Sequence, residues 1–119
     1  MNLKSVVLIN PWIYDFAAFD LWAKPLGLLC LASYLRRSGV QVRVWDGMSR
    51  QPRPEMGDPP AGRSHGTGKY YCTPVPKPAA LRHVPRTYRR YGIAPECLEH
   101  DLRRAERPDA VLITSLMTY

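Results

Sequence analysis

Cys97-Leu98-Glu99-His100 places a thiolate and an imidazole three residues apart, a spacing that can bring two metal ligands to one face of a helix. Two ligands do not complete a site. Cys72, His65 and His83 fall in a proline- and glycine-rich stretch without zinc spacing, and no third group can be assigned to orient a nucleophile. Gly62-Arg63-Ser64-His65-Gly66-Thr67-Gly68-Lys69-Tyr70 has the glycines and lysine of a phosphate loop. It lacks the four-residue spacer before Gly-Lys, and Tyr70 stands where a metal-binding Ser or Thr would follow. A flexible turn is the simpler reading. The first strand-to-helix junction, Asn10 to Gly27, carries no G-x-G-x-x-G, so the dinucleotide fingerprint is missing as well.

Charge is the next candidate for chemistry. The chain is +7, and between Gly47 and Ile93 there are nine Lys or Arg against two acids, Glu55 and Asp58, so this segment accounts for the whole excess. Within it, Lys77 to Arg90 interleaves Arg82, His83, Arg86, Arg89 and Arg90 with Tyr88, a composition suited to a nucleic-acid surface. No RNA- or DNA-binding motif accompanies it, and charge alone is sequence-independent evidence, so nucleic acid is an unlikely partner and a solvated face against an acidic neighbour is preferred.

The elements that must position these groups follow from periodicity. Ser5 to Asn10 is a short, β-branched, continuously apolar run ended by Asn10-Pro11, as expected of a strand covered on both faces. Leu28, Leu31, Ala32 and Leu35 then recur at helical spacing, with Pro25 suited to the first turn, Arg36 and Arg37 at the negative end, Gly39 as cap and Cys30 expected in the core. Val40, Val42 and Val44 alternate with polar residues up to Asp46, a second strand. The stretch 47–93, holding most of the prolines and glycines, is expected to be a long basic loop insert, wandering over 50–68 and broken into helical turns after Lys77. A second helix is expected from Pro95, with Ala94, Leu98, Leu102 and Ala105 on one face, and a third strand from Ala110 to Ile113.

Strand, helix, strand, insert, helix, strand describes an α/β fold: a partial doubly wound, Rossmann- or flavodoxin-like parallel sheet of order 2-1-3 within one domain, residues 1–119. In such sheets ligands sit outside the carboxyl ends of the strands, where Asn10, Pro11, Asp46 and Ser115 to Tyr119, including Thr118 and Tyr119, would converge. One hundred and nineteen residues suffice for one modest core. The longest apolar runs are far short of a membrane span, and no secretory signal is present, so a cytoplasmic location is the default. Three cysteines without C-x-x-C spacing argue for reduced thiols.

Pro25-Leu26-Gly27-Leu28, following Asn10-Pro11 and followed by Val42-Arg43-Val44-Trp45-Asp46, resembles the start of radical S-adenosylmethionine proteins that carry a cobalamin-binding-like amino-terminal domain. Val84-Pro85-Arg86, Tyr88, Arg90-Tyr91-Gly92 and Thr114-Ser115-Leu116-Met117-Thr118-Tyr119 resemble further landmarks of one branch of that superfamily. The resemblance implies that Pro25, Leu26 and Gly27 join the strand ends at a cofactor. It also implies a later domain that binds a [4Fe-4S] cluster and S-adenosylmethionine, with cobalamin as an open further ligand. This chain has neither C-x-x-x-C-x-x-C nor D-x-H-x-x-G, so the resemblance implies an amino-terminal fragment, inactive alone, whose partner is the missing radical S-adenosylmethionine domain. Two other classes stay open: a stand-alone small-ligand module working at the strand ends, and a basic interaction protein working through the insert.

Overall fold

The computed structural model describes residues 2–115. Thr118 and Tyr119 lie outside them. The described chain forms two compact units, one from residues 2–11, 24–47 and 95–115, the other from 12–23 and 48–94.

In the first unit, β1 (Ser5–Asn10) is flanked in parallel by β3 (Gln41–Asp46) and β6 (Ala110–Ile113), giving the order β3-β1-β6. Val6 pairs with Val42 and Ala110, and Ile9 with Trp45 and Ile113. Residues of β1 alternate between the faces, yet Val6 to Asn10 are all buried, which is why the run is continuously apolar rather than alternating. Val6 and Leu8 pack with Leu28 and Ala32 of α1 (Leu26–Arg37), and Leu3, Leu35, Val40, Val42 and Ala110 complete that cluster. On the opposite face, Trp45 donates from Nε1 to Asp101 Oδ2 of α2 (Pro95–Arg104) at 2.9 Å.

Helix α1 begins one residue later than the sequence suggests, with buried Pro25 as its N-cap. It ends in a paired hydrogen-bond lock: Gly39 N–H donates to Arg36 O and Val40 N–H to Leu35 O, with Gly39 at φ +84. That conformation favours glycine. Cys30, expected in the core, is exposed, because the buried stripe of α1 runs through Leu28 and Ala32 and the cysteine falls between them on the outer side. Asp109 ties the start of the sheet: its Oδ2 accepts from Lys4 N–H at 2.8 Å and Ser5 N–H at 2.9 Å.

The second unit corrects the expected loop. Short strands β2 (Ile13–Asp15), β4 (Cys72–Pro74) and β5 (Arg89–Tyr91) form an antiparallel sheet of order β2-β5-β4. Single helical turns occur at Pro54–Met56, Ser64–Gly66 and Ala79–Leu81. Met48, Tyr70 and Tyr91 form its apolar cluster with Ile13 and Ala18. The stretch 50–68, which has few large apolar residues, is held by polar contacts instead. Asp20, fully buried, accepts from Arg50 Nε at 2.9 Å, and Arg50 also donates to Gly66 O. Asp20 and Gly68 exchange backbone hydrogen bonds at 2.8 and 3.2 Å. A Cβ at Gly68 would lie 2.7 Å from Ala61 O and collide with the Arg50 guanidinium.

Two outcomes follow. Asp20→Asn retains the shape but leaves Arg50 without its counter-charge, and is expected to destabilise the second unit by about 3 kcal/mol. Hydrogen exchange at the Gly68 amide reads this directly; wild-type protection in the variant would refute it. The Asp109 carboxyl is held below its ordinary range, first by the Lys4 and Ser5 backbone N–H groups, against a smaller opposing effect of burial. Because the folded pKa is depressed, its contribution is present above the unfolded value of about 3.9 and disappears as pH falls through the folded pKa. Asp109→Ala is therefore expected to be less stable than wild type at pH 7, with the two unfolding curves converging as pH falls through the folded pKa.

Candidate functional site

The carboxyl ends of the parallel strands bring together part of the expected site. Asn10, buried at the end of β1, donates from Nδ2 to Asp46 Oδ1 at the end of β3 at 2.8 Å. Gly47 N–H returns to Asn10 O at 2.6 Å, and Thr114 N–H to Ile9 O at 3.0 Å. The three strand ends are thus joined through β1. Asn10 is one of only two buried polar side chains among the described residues, the other being Asp20. An amide this deep needs an acceptor, and Asp46 supplies it.

Strand order decides where a crevice can open. The connection from β1 runs to β3 on one side, and the connection from β3 crosses back to β6 on the other, so neighbouring loops diverge between β1 and β6. Beside the end of β6 lies a depression of about 300 Å³ lined by Pro25, Gly27, Leu28 and Leu31 of the helix side and by Leu112, Ile113 and Thr114 of the strand end. Two of the expected residues, Pro25 and Gly27, are therefore in its wall. A side chain added at Gly27 would meet nothing within 4 Å, so the glycine leaves the first turn of α1 open. Leu26, also expected there, is 70% exposed and outside the lining, because the first turn directs it to solvent. Pro11 directly follows β1 and is half-buried, and Ser115, two residues past the end of β6, is exposed. Sequence reasoning missed Leu31 and Leu112 as lining residues. Both resembled ordinary core positions, and only their exposure, 39% and 36%, distinguishes them.

The other sequence candidates are dispersed. Cys97 is buried in α2, whereas His100 is exposed, with Nδ1 3.5 Å from Asp101 Oδ1 and Nε2 3.4 Å from an Arg104 guanidinium nitrogen. Cys30 lies on α1 and Cys72 in β4, not in a loop as expected. Cys30 and Cys97 thus lie on different helices of the first unit, and Cys72 on a strand of the second. The glycine-rich segment closes on itself: Arg63 N–H donates to Thr67 O and Lys69 N–H to Ala61 O, so these donors are not turned toward a phosphate. Trp22 Nε1 caps its His65 carbonyl at 2.6 Å, and Arg63 sits 5.2 Å over the Phe19 ring. No family model, no curated protein and no solved structure matches this chain.

The Asn10–Asp46 pair has a measurable energetic signature. Asp46→Leu strands the buried Asn10 amide and is expected to cost about 1–3 kcal/mol in denaturant unfolding, whereas Asn10→Leu combined with Asp46→Leu recovers most of it. Equal losses in the single and double variants would show that the hydrogen bond is not what holds the strand ends.

Proposed function

We propose that the first unit is the opening part of a doubly wound, small-molecule-binding domain, with strand order 2-1-3 and its ligand at the carboxyl ends of the strands. The observation that carries this reading is the conjunction of the Asn10–Asp46 hydrogen bond with the crevice that Pro25, Gly27 and Thr114 form beside β6. Backbone and apolar groups would hold the ligand there, and Asn10 and Asp46 would fix the floor against which it rests. The volume of about 300 Å³ is at the small end of ligand pockets and suits a nucleoside-sized group.

The resemblance extends the proposal: the unit is the amino-terminal, cobalamin-binding-like module of a radical S-adenosylmethionine protein of unassigned substrate. Val111 and Ile113, 47% and 67% exposed on the face that α2 shares, support it, because a right-handed crossover leading onward from β6 would cover that face. The cluster and the radical chemistry would belong to a separate domain, since this sequence has no C-x-x-x-C-x-x-C. A corrinoid would bind without the histidine of a D-x-H-x-x-G signature, which this sequence lacks.

Titration of the purified chain with S-adenosylmethionine and, separately, hydroxocobalamin, by isothermal calorimetry, tests the reading. One of the two is expected to bind saturably, and Gly27→Leu, which fills the mouth of the crevice from an open backbone position, is expected to weaken it at least about tenfold, or 1.4 kcal/mol. Binding that survives Gly27→Leu unchanged would move the site elsewhere. Absence of binding for both ligands would leave the basic second unit as the better account of function.

A further inference from the structure

Arg90 stands at the middle of the middle strand of the second sheet. Its register partners are Tyr14 on β2 and Thr73 on β4. Directly opposed residues of an antiparallel sheet project to the same side, so Thr73, Arg90 and Tyr14 form a row across one face. Arg89 and Tyr91 project to the other side, where Tyr91 joins the core with Met48 and Tyr70. Asp15, the acid within this sheet, is paired with Arg89 and therefore also lies on that other side.

The Arg90 guanidinium is half-buried. Its Nε is shielded from solvent and has no acceptor among the described residues. Arg50 in the same unit provides the contrast, since its Nε is met by Asp20 at 2.9 Å. A guanidinium with one donor shielded from water and unpaired is incompletely satisfied, and its natural complement is a two-oxygen anion that meets the terminal nitrogens. The surroundings suit one. Tyr14, 49% exposed, stacks with Tyr88 at 6.3 Å between ring centres, and Phe16 tilts against Tyr88 at 5.2 Å, so an aromatic wall stands beside the arginine. The strand neighbour Thr73 is exposed and adds a hydroxyl donor. The surrounding segment 47–93 carries nine basic residues against two acids, which raises the local concentration of anions.

We propose that this face of the β2-β5-β4 sheet binds a small ring-bearing oxyanion, with the carboxylate or phosphate on Arg90, a hydroxyl contact from Thr73, and the ring against Tyr14. The site is independent of the strand-end crevice of the first unit. It rests on geometry within one sheet and needs no assumption about the family of the chain.

The arginine Nε–Hε signals in a proton–nitrogen correlation spectrum provide the test, with phenyl phosphate and benzoate as probes and benzyl alcohol as the neutral control. Phenyl phosphate or benzoate is expected to shift the Arg90 Nε–Hε signal saturably while leaving that of Arg50 in place, and the tighter of the two identifies the anion class. Arg90→Gln is expected to weaken binding by about tenfold or more, the usual scale for a charge-assisted hydrogen bond. Tyr14→Ala, which removes the ring at an exposed position, is expected to weaken it several-fold. If Arg90→Gln does not fold, the wild-type Arg90 and Arg50 signals still decide the matter. Absence of a saturable Arg90 shift with either anion, an equal shift with benzyl alcohol, or equal shifts at Arg50 and Arg90 would overturn the proposal.

Discussion

β1 has to satisfy backbone partners on both edges and apolar contacts on both faces, and most of the first unit is arranged around those demands. Its N–H and C=O groups pair with β3 on one side and β6 on the other, while Val6 and Leu8 require α1 on one face. An unpaired backbone group at that depth would cost as much as a lost hydrogen bond, so neither flanking strand is dispensable. Three polar contacts at the ends set the register. Asp109 gathers the Lys4 and Ser5 amides where the sheet begins, and Asn10 with Asp46 closes it where the sheet ends. The proposed ligand crevice is a by-product of this arrangement, since the chain must diverge on leaving the central strand.

The second unit reaches order by a different route. Its apolar cluster is small, and two of its three buried residues are tyrosine, so each buried ring brings a hydroxyl that must find a partner. Tyr91 finds the Phe16 carbonyl at 3.3 Å, and Tyr71, a buried neighbour of the cluster residue Tyr70, finds that of Gln51 at 3.0 Å. The buried Asp20–Arg50 pair plays the same part for a segment that has little else to bury. Such polar networks specify geometry more than they add stability, because desolvation offsets much of their attraction. The unit is thereby held by contacts that tolerate few substitutions, Gly68 being the tightest case.

Basic residues are consequently not equivalent in this protein. Arg50 is an internal strut, Arg63 lies over Phe19, and Lys77 reaches the Val84 carbonyl. A count of charges in the segment would treat them all as a solvated surface available to an anionic partner. Among the described residues, Arg90 combines a shielded guanidinium nitrogen with a register row, Tyr14 and Thr73, that holds no acid. That difference separates a specific anion site from diffuse basicity.

The α/β character of the first unit was legible from the residues because each of its elements is long enough to show a period. Ser5 to Asn10 is continuously apolar, Val40, Val42 and Val44 alternate, and Leu28, Ala32 and Leu35 recur at helical spacing; pattern and final environment agree in β1 and α1, whereas in β3 Val44 is exposed and Arg43 half-buried. The strand ends were legible for the same reason, since Asn10 and Asp46 terminate those patterns. Tertiary structure alone decided the rest. β2, β4 and β5 are three residues each, too short for any period, and β2 finds its partner more than seventy residues along the chain. Asp20 meets Arg50 across thirty residues that include α1 and β3, and neither is marked out in the sequence. Cys30 was misjudged because composition places a thiol among leucines, whereas its exposure depends on which side of α1 the sheet occupies. Short-range pattern records how an element meets its own faces. It holds no information about a distant partner whose contribution arises only once the chain has closed, and both Arg90 and the Asp20–Arg50 pair depend on such partners.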